Sequence, residues 1–206
     1  MKNLISSSVA IALSVFTFTA QAENVDRSFT VEGTNIKITA IENAKTVMVS
    51  LNNTATGALT IALEDAAGTH YADETVKSSA HFAKKYNLSQ LETGKYRFVI
   101  VKNALKTVQP FELTSTNIVL NELERKEKFL PVVAQNGNKM DVNVLLGNYS
   151  NIIVRVYDSE GKLAFSDKNY VVLTLHKRYD LSSLAKGMYI VEVLAGDETQ
   201  NFTVNL

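Results

Sequence analysis

Along this chain, apolar residues recur at every second position in short runs that end in turn-forming residues. Val47, Val49 and Leu51 make one run, Leu59, Ile61 and Leu63 another, and Phe98 and Ile100 a third. Met140, Val142 and Val144, then Ile152, Val154 and Val156, then Val191 and Val193 repeat the pattern in the second half. A period of two puts all the side chains of a run on one face of a strand, so each run predicts a strand with one buried and one solvated face. Each half offers about six or seven such strands, with turn signals every eight to twelve residues or so. That is the spacing of a two-sheet sandwich rather than of strands alternating with helices.

The two halves are related by more than pattern. Tyr-Asn-Leu-Ser-Gln-Leu-Glu-Thr-Gly-Lys-Tyr at 86–96 and Tyr-Asp-Leu-Ser-Ser-Leu-Ala-Lys-Gly-Met-Tyr at 179–189 agree at six of eleven positions, where average residue usage gives about one. The same shift of 93 residues sets Asp65-Ala66-Ala67-Gly68 on Asp158-Ser159-Glu160-Gly161 and superposes the apolar runs without a gap. Asp-x-x-Gly after a strand predicts a tight turn, with the carboxylate bonding its own backbone and the glycine at positive φ. Leu88 and Leu91, with Leu181 and Leu184, are expected to cap one end of each core. Gly94 and Gly187 are expected to let the chain reverse into the strands that start at Tyr96 and Tyr189, so valine at 187 would cost roughly 1–3 kcal/mol. The Gly-x-Tyr spacing predicts a tyrosine corner, in which a ring at the start of a strand hydrogen-bonds back to the preceding loop.

Between the copies, residues 121–128 are almost all polar or charged and read as a linker with about one helical turn. The expected organisation is all-β: two tandem immunoglobulin-like or fibronectin-like β-sandwich domains, at 23–117 and 129–206, joined by a charged linker at 118–128 and placed after a signal peptide. The signal peptide is residues 1–22. Lys2 precedes an uncharged, mostly apolar stretch from Leu4 to Thr19, and Ala20-Gln21-Ala22 has the small residues a signal peptidase accepts, so cleavage before Glu23 is expected. The apolar stretch is too short and too rich in Ser and Thr for a membrane-spanning helix. Cleavage removes only Lys2 from 21 basic and 21 acidic side chains. The balance that remains offers no electrostatic footprint for nucleic acid or an anionic membrane. The chain has no cysteine, so stability must come from buried apolar surface rather than from disulfides.

In the second half, Val156-Tyr157-Asp158-Ser159-Glu160-Gly161-Lys162 is followed by Asp180-Leu181-Ser182-Ser183-Leu184-Ala185-Lys186-Gly187-Met188-Tyr189-Ile190-Val191. In these phrases the last 75 residues or so resemble the C-terminal sorting domains of the type IX secretion pathway of Bacteroidota, with a second, related copy in the first half. The resemblance implies a small β-sandwich that directs transit across the outer membrane and is commonly removed afterwards. It also implies type IX machinery as a partner and a periplasmic, surface or extracellular location. An envelope protein or a glycan is the other expected partner. The alternative is a stand-alone periplasmic or secreted binding or structural protein that keeps both modules.

No catalytic, cofactor or metal residue is assigned, and the chain reads as non-enzymatic. There is no Gly-x-Ser-x-Gly elbow and no phosphate-cradling glycine loop. His70, His81 and His176 lack zinc-ligand spacing and are expected on strand edges or the surface. Asp65 with Asp73 and Glu74, and Asp158 with Glu160 and Asp167, lack the spacing of a calcium loop and are expected on solvated turns. The basic pairs Lys84-Lys85 and Lys177-Arg178 fall at the same place in both copies, and are expected to guard an exposed strand against edge-to-edge pairing rather than to meet an acidic partner or a glycan phosphate. Tyr149, Tyr157 and Tyr170 are the rings expected to be exposed, and without tryptophan they make a weak sugar platform.

Overall fold

The computed structural model describes residues 28–52, 57–77, 81–145, 151–170, 174–196 and 198–206. The expected signal peptide and Tyr149 lie outside them. Among the described residues the regular structure is antiparallel strand, apart from one 3-10 turn at Glu122–Glu124.

In the first unit β1 (Ser28–Val31), β2 (Thr34–Ala40), β3 (Thr46–Asn52) and β6 (His81–Asn87) form one sheet in that order. The facing sheet contains β4 (Leu59–Asp65), β5 (His70–Val76), β7 (Gly94–Lys102), β8 (Leu105–Leu113), β9 (Ile118–Leu120) and β10 (Lys126–Phe129). Its order is β10-β8-β7-β4-β5, with β9 also on β8. In the second unit β11 (Val132–Asn136), β12 (Lys139–Leu145) and β15 (Thr174–Asp180) form a sheet in that order. The facing sheet has β13 (Asn151–Tyr157), β14 (Leu163–Tyr170), β16 (Met188–Ala195) and β17 (Glu198–Asn205) in the order β14-β13-β16-β17. These are tandem β-sandwiches of the immunoglobulin-like and fibronectin-like kind. The alternating residues named above fill two separate cores, one around Val49, Ile61, Phe98 and Ile100, the other around Met140, Val154, Val191 and Val193.

The 93-residue shift holds at the level of the ladder. Thr46 faces Asn87 as Lys139 faces Asp180, Leu59 faces Lys102 as Ile152 faces Ala195, and β4–β5 and β13–β14 carry their irregularity at the same step, Leu63/Glu64 and Val156/Tyr157. The turns repeat as well. Asp65 Oδ1 accepts from the N–H groups of Ala67 and Thr69, each at 2.9 Å, and Asp158 Oδ1 from those of Glu160 and Lys162 at 3.0 and 2.9 Å. Gly68 and Gly161 close these turns at φ +91° and +78°. A one-residue slip would turn every core side chain to solvent, so the alternation and the turns specify one register together.

The tyrosine corners form as expected. The Tyr96 hydroxyl donates to the Glu92 carbonyl and the Tyr189 hydroxyl to the Ala185 carbonyl, both at 2.9 Å. Replacing either tyrosine by phenylalanine removes one part-buried bond and is expected to cost about 1 kcal/mol, read as a lower urea midpoint with an unchanged slope. Gly94 and Gly187 do not share one backbone reason. Gly187 has φ +157°, whereas Gly94 is not among the glycines at positive φ. What they share is a ladder position: Gly94 faces Leu113, and Gly187 exchanges both backbone bonds with Leu206.

The stretch 118–128 is not a linker. Its residues build β9, the 3-10 turn and β10, and both strands pair with β8. Ile118 joins the core, Leu120 packs against it, and the Arg125 guanidinium lies 4.4 Å from the centroid of the Phe29 ring. An edge strand needs backbone pairing and one inward face only, so its charges can point to water.

Candidate functional site

Where the edges of the two sheets meet, each unit carries a polar cluster at equivalent positions. Lys84 on β6 reaches Glu74 on β5. In the second unit Lys177 on β15 reaches Asp167 on β14, with Nζ 2.6 Å from Oδ2. The ammonium of each lysine stands 5.5 Å from the ring centroid of Tyr86 or Tyr179. Around Asp167 the set is fuller: the Tyr179 hydroxyl donates to Oδ2 at 2.7 Å, the Asn169 amide donates at 3.0 Å, and Lys177 also bonds Asn169 Oδ1 at 3.0 Å. The Tyr86 hydroxyl meets no hydrogen-bond partner among the described residues.

These contacts set the protonation states. The bonds from Lys177 and then Tyr179 hold the Asp167 carboxyl down at about 2. Burial, then the bond to Asp167, raises the Tyr179 phenol far above its usual range. Burial, with the Glu74 charge behind it, pushes the Tyr86 phenol up to about 12. A carboxylate fixed as the anion and phenols fixed as neutral have no proton to trade near neutral pH, so the geometry staples two sheets together and offers no acid–base pair.

The expected acidic clusters are dispersed into separate contacts. Asp65 serves its own turn, whose bond from the Thr69 backbone lowers its carboxyl, while Asp73 meets His70 and Glu74 meets Lys84. Asp158 likewise serves its turn, and Asp167 serves the staple. His70 lies between Glu64 and Asp73, at 3.2 and 3.3 Å. His176 bonds Asn143, and the side chain of His81 lies outside the described part. Among the described residues no three histidine or carboxylate groups converge on a metal-sized site.

Both basic pairs sit on edge strands, β6 and β15. Lys84 and Lys177 are held by the staples, Arg178 forks onto Asp141 at 2.6 and 2.7 Å, and Lys85 is exposed. Tyr170 is exposed with Lys168 over its ring, while Tyr157 is half-buried and 3.4 Å from Glu192. The two rings form no platform together.

Three features were not foreseen from the sequence. Glu74/Asp167, Lys84/Lys177 and Tyr86/Tyr179 fall into register at the 93-residue shift, so the staple could have been found by following polar positions as well as apolar ones. Glu198, at the start of β17, receives Lys106 at 2.9 Å and Lys128 at 3.4 Å from the first unit. It lines a cleft of about 800 Å³ together with Arg97, Lys126 and Leu123. Lys102 is buried and donates to the Glu32 carbonyl and Thr34 Oγ1, each at 2.8 Å. Its counterpart in the repeat is Ala195, so the repeat gives no hint of it.

Residues 136–205, and so nearly all of the second sandwich, match the family model of the secretion system C-terminal sorting domain. This bears out the resemblance for the second half and gives no support for a further member of that family in the first. No curated protein matches the chain. Similar solved structures include a tetra-tandem repeat in the extending region of a large adhesion protein, 19% identical with a TM-score of 0.31, covering 85% of this chain and 50% of that one. The BSP domain of a biofilm-associated protein is 16% identical with a TM-score of 0.26, covering 82% and 29%. A two-domain fibronectin type-III segment of chicken tenascin is 8% identical with a TM-score of 0.29, covering 83% and 97%. The chain thus spans half or less of the first two. No helix among the described residues is long and apolar enough to cross a membrane.

Proposed function

We propose that this is an exported, non-enzymatic protein whose second sandwich addresses it to the type IX secretion machinery for passage across the outer membrane. The first sandwich is the passenger that works at the surface or outside the cell. The match of residues 136–205 to the sorting-domain family carries this reading. The non-enzymatic part is supported by the polar clusters: each is occupied with its own turn, staple or edge.

One observation favours a second reading, in which both sandwiches are retained as one working protein. The units share turns, staples and register, and Glu198 ties one to the other. Removing residues 131–206 separates the two. With the first reading, the full chain reaches the surface of a host that has the machinery and the truncated chain stays in the periplasm. Surface exposure of the truncated chain would overturn it.

A further inference from the structure

The chain builds the same sheet edge twice and treats it differently each time. In the first unit the edge of β8 is covered: β10 pairs along Leu105 to Val108, the N–H of Asn121 bonds the Pro110 carbonyl, and β9 pairs along Phe111 to Leu113. The counterpart of β8 is β17, which ends its sheet with no strand beside it among the described residues.

Which backbone groups face outward on β17 follows from two contacts. Leu206 exchanges its bonds with Gly187, on the β16 side, while both backbone groups of Asn205 bond the side-chain amide of Gln135. Alternate residues of an antiparallel strand bond to opposite sides, so Thr199, Asn201 and Thr203 point their N–H and C=O groups away from the sheet. Among the described residues nothing accepts or donates there. Gln135 closes the edge at Asn205 and leaves residues 199–203 open.

The side chains of this edge also lack the usual protection. The other edge strands of seven residues or more carry charge within them: Asp73 and Glu74 on β5, Lys84 and Lys85 on β6, Asp167 and Lys168 on β14, and Lys177 and Arg178 on β15. β17 has only Glu198, at its first residue, and that carboxylate is held by Lys106 and Lys128. An uncharged open edge is a template for another strand.

We propose that a second copy of this chain occupies it, β17 to β17 across a twofold axis at Asn201. The antiparallel register is self-complementary. Asn201 faces the partner's Asn201, Thr199 faces the partner's Thr203, and Gln200 faces the partner's Phe202. Each outward-facing pair exchanges both of its bonds, and Thr–Thr is a favourable cross-strand pair. No two charges oppose each other, whereas the same pairing of β6 or β15 would set lysines and arginine face to face. The contact joins two four-stranded sheets and uses up the open edge on both, so it closes as a dimer and does not propagate. This pairing does not depend on the sorting role of the second sandwich.

The test is the mass in solution of the purified full-length chain, by light scattering during size-exclusion chromatography. Two variants accompany it. Thr203→Pro removes one outward N–H, and the fold already carries proline at the equivalent place, Pro110 on β8. Asn201→Lys sets two like charges across the axis. The expected result is a dimer for the natural chain and monomers for both variants, each keeping the strand signature in circular dichroism. A monomeric natural chain at about 100 µM would overturn the proposal, as would a dimer that survives either substitution in a folded variant.

Discussion

Replacing Phe98 by alanine is expected to destabilise the first sandwich by about 3–5 kcal/mol and to leave the second one folded. Phe98 is fully buried at the middle of β7. Its ring meets Tyr86 edge-on and stacks on Phe111, with centroids 5.3 Å away in both cases, and Tyr96 also stacks on Phe111. Alanine empties the centre of that aromatic group, and the flanking rings cannot collapse without leaving their own contacts with the ladder. A loss of this size is a large part of the 5–15 kcal/mol or so that holds a domain together. The two cores share no residue, so the loss should stay local. Hydrogen exchange followed by mass spectrometry should show β4, β7 and β8 losing protection while β13 and β16 keep theirs. Equal loss in both sets would mean that the units fold as one.

Acid should weaken the second sandwich through Asp167. Its carboxyl is held at about 2, below the ordinary 3.8, so the folded state favours the anion. That stability is fully present above about pH 4 and is lost as pH falls from there toward 2. With the side chain 29% exposed, solvent reduces the effect to about 1–2 kcal/mol. The natural chain should therefore lose urea resistance between pH 7 and about pH 2.5 more steeply than Asp167→Asn, which has no charge there to lose. Parallel losses in the two proteins would remove the staple from this account.

These expectations separate what the sequence makes legible from what it hides. The β character, the two cores and the Asp65 and Asp158 turns were readable because each is fixed within one strand or turn, by the period of two or by Asp-x-x-Gly. The tyrosine corners were readable for the same reason, through a spacing of two residues from glycine. Residues 118–128 were misread because charge suggests solvent on all sides, while an edge strand hides only one face, here through Ile118 and Leu120. Gly94 and Gly187 look equivalent in the sequence, yet identical residues in a repeat share a ladder position without sharing φ. The contact of Glu198 with Lys106 and Lys128 depends on how one unit meets the other, which no local pattern encodes. Lys102 is hidden differently, since a lysine in an apolar alternation looks like a solvent-facing residue until Glu32 and Thr34 close over it.

The most direct test of the proposed role is the intact mass of the protein recovered separately from the periplasm, the cell surface and the medium of its native host. The expected result is a surface or medium species that begins at Glu23 and has lost the second sandwich, ending just after β10, near residues 130–131. A species running from Glu23 to Leu206 and confined to the periplasm would contradict it, and would make both sandwiches the working protein.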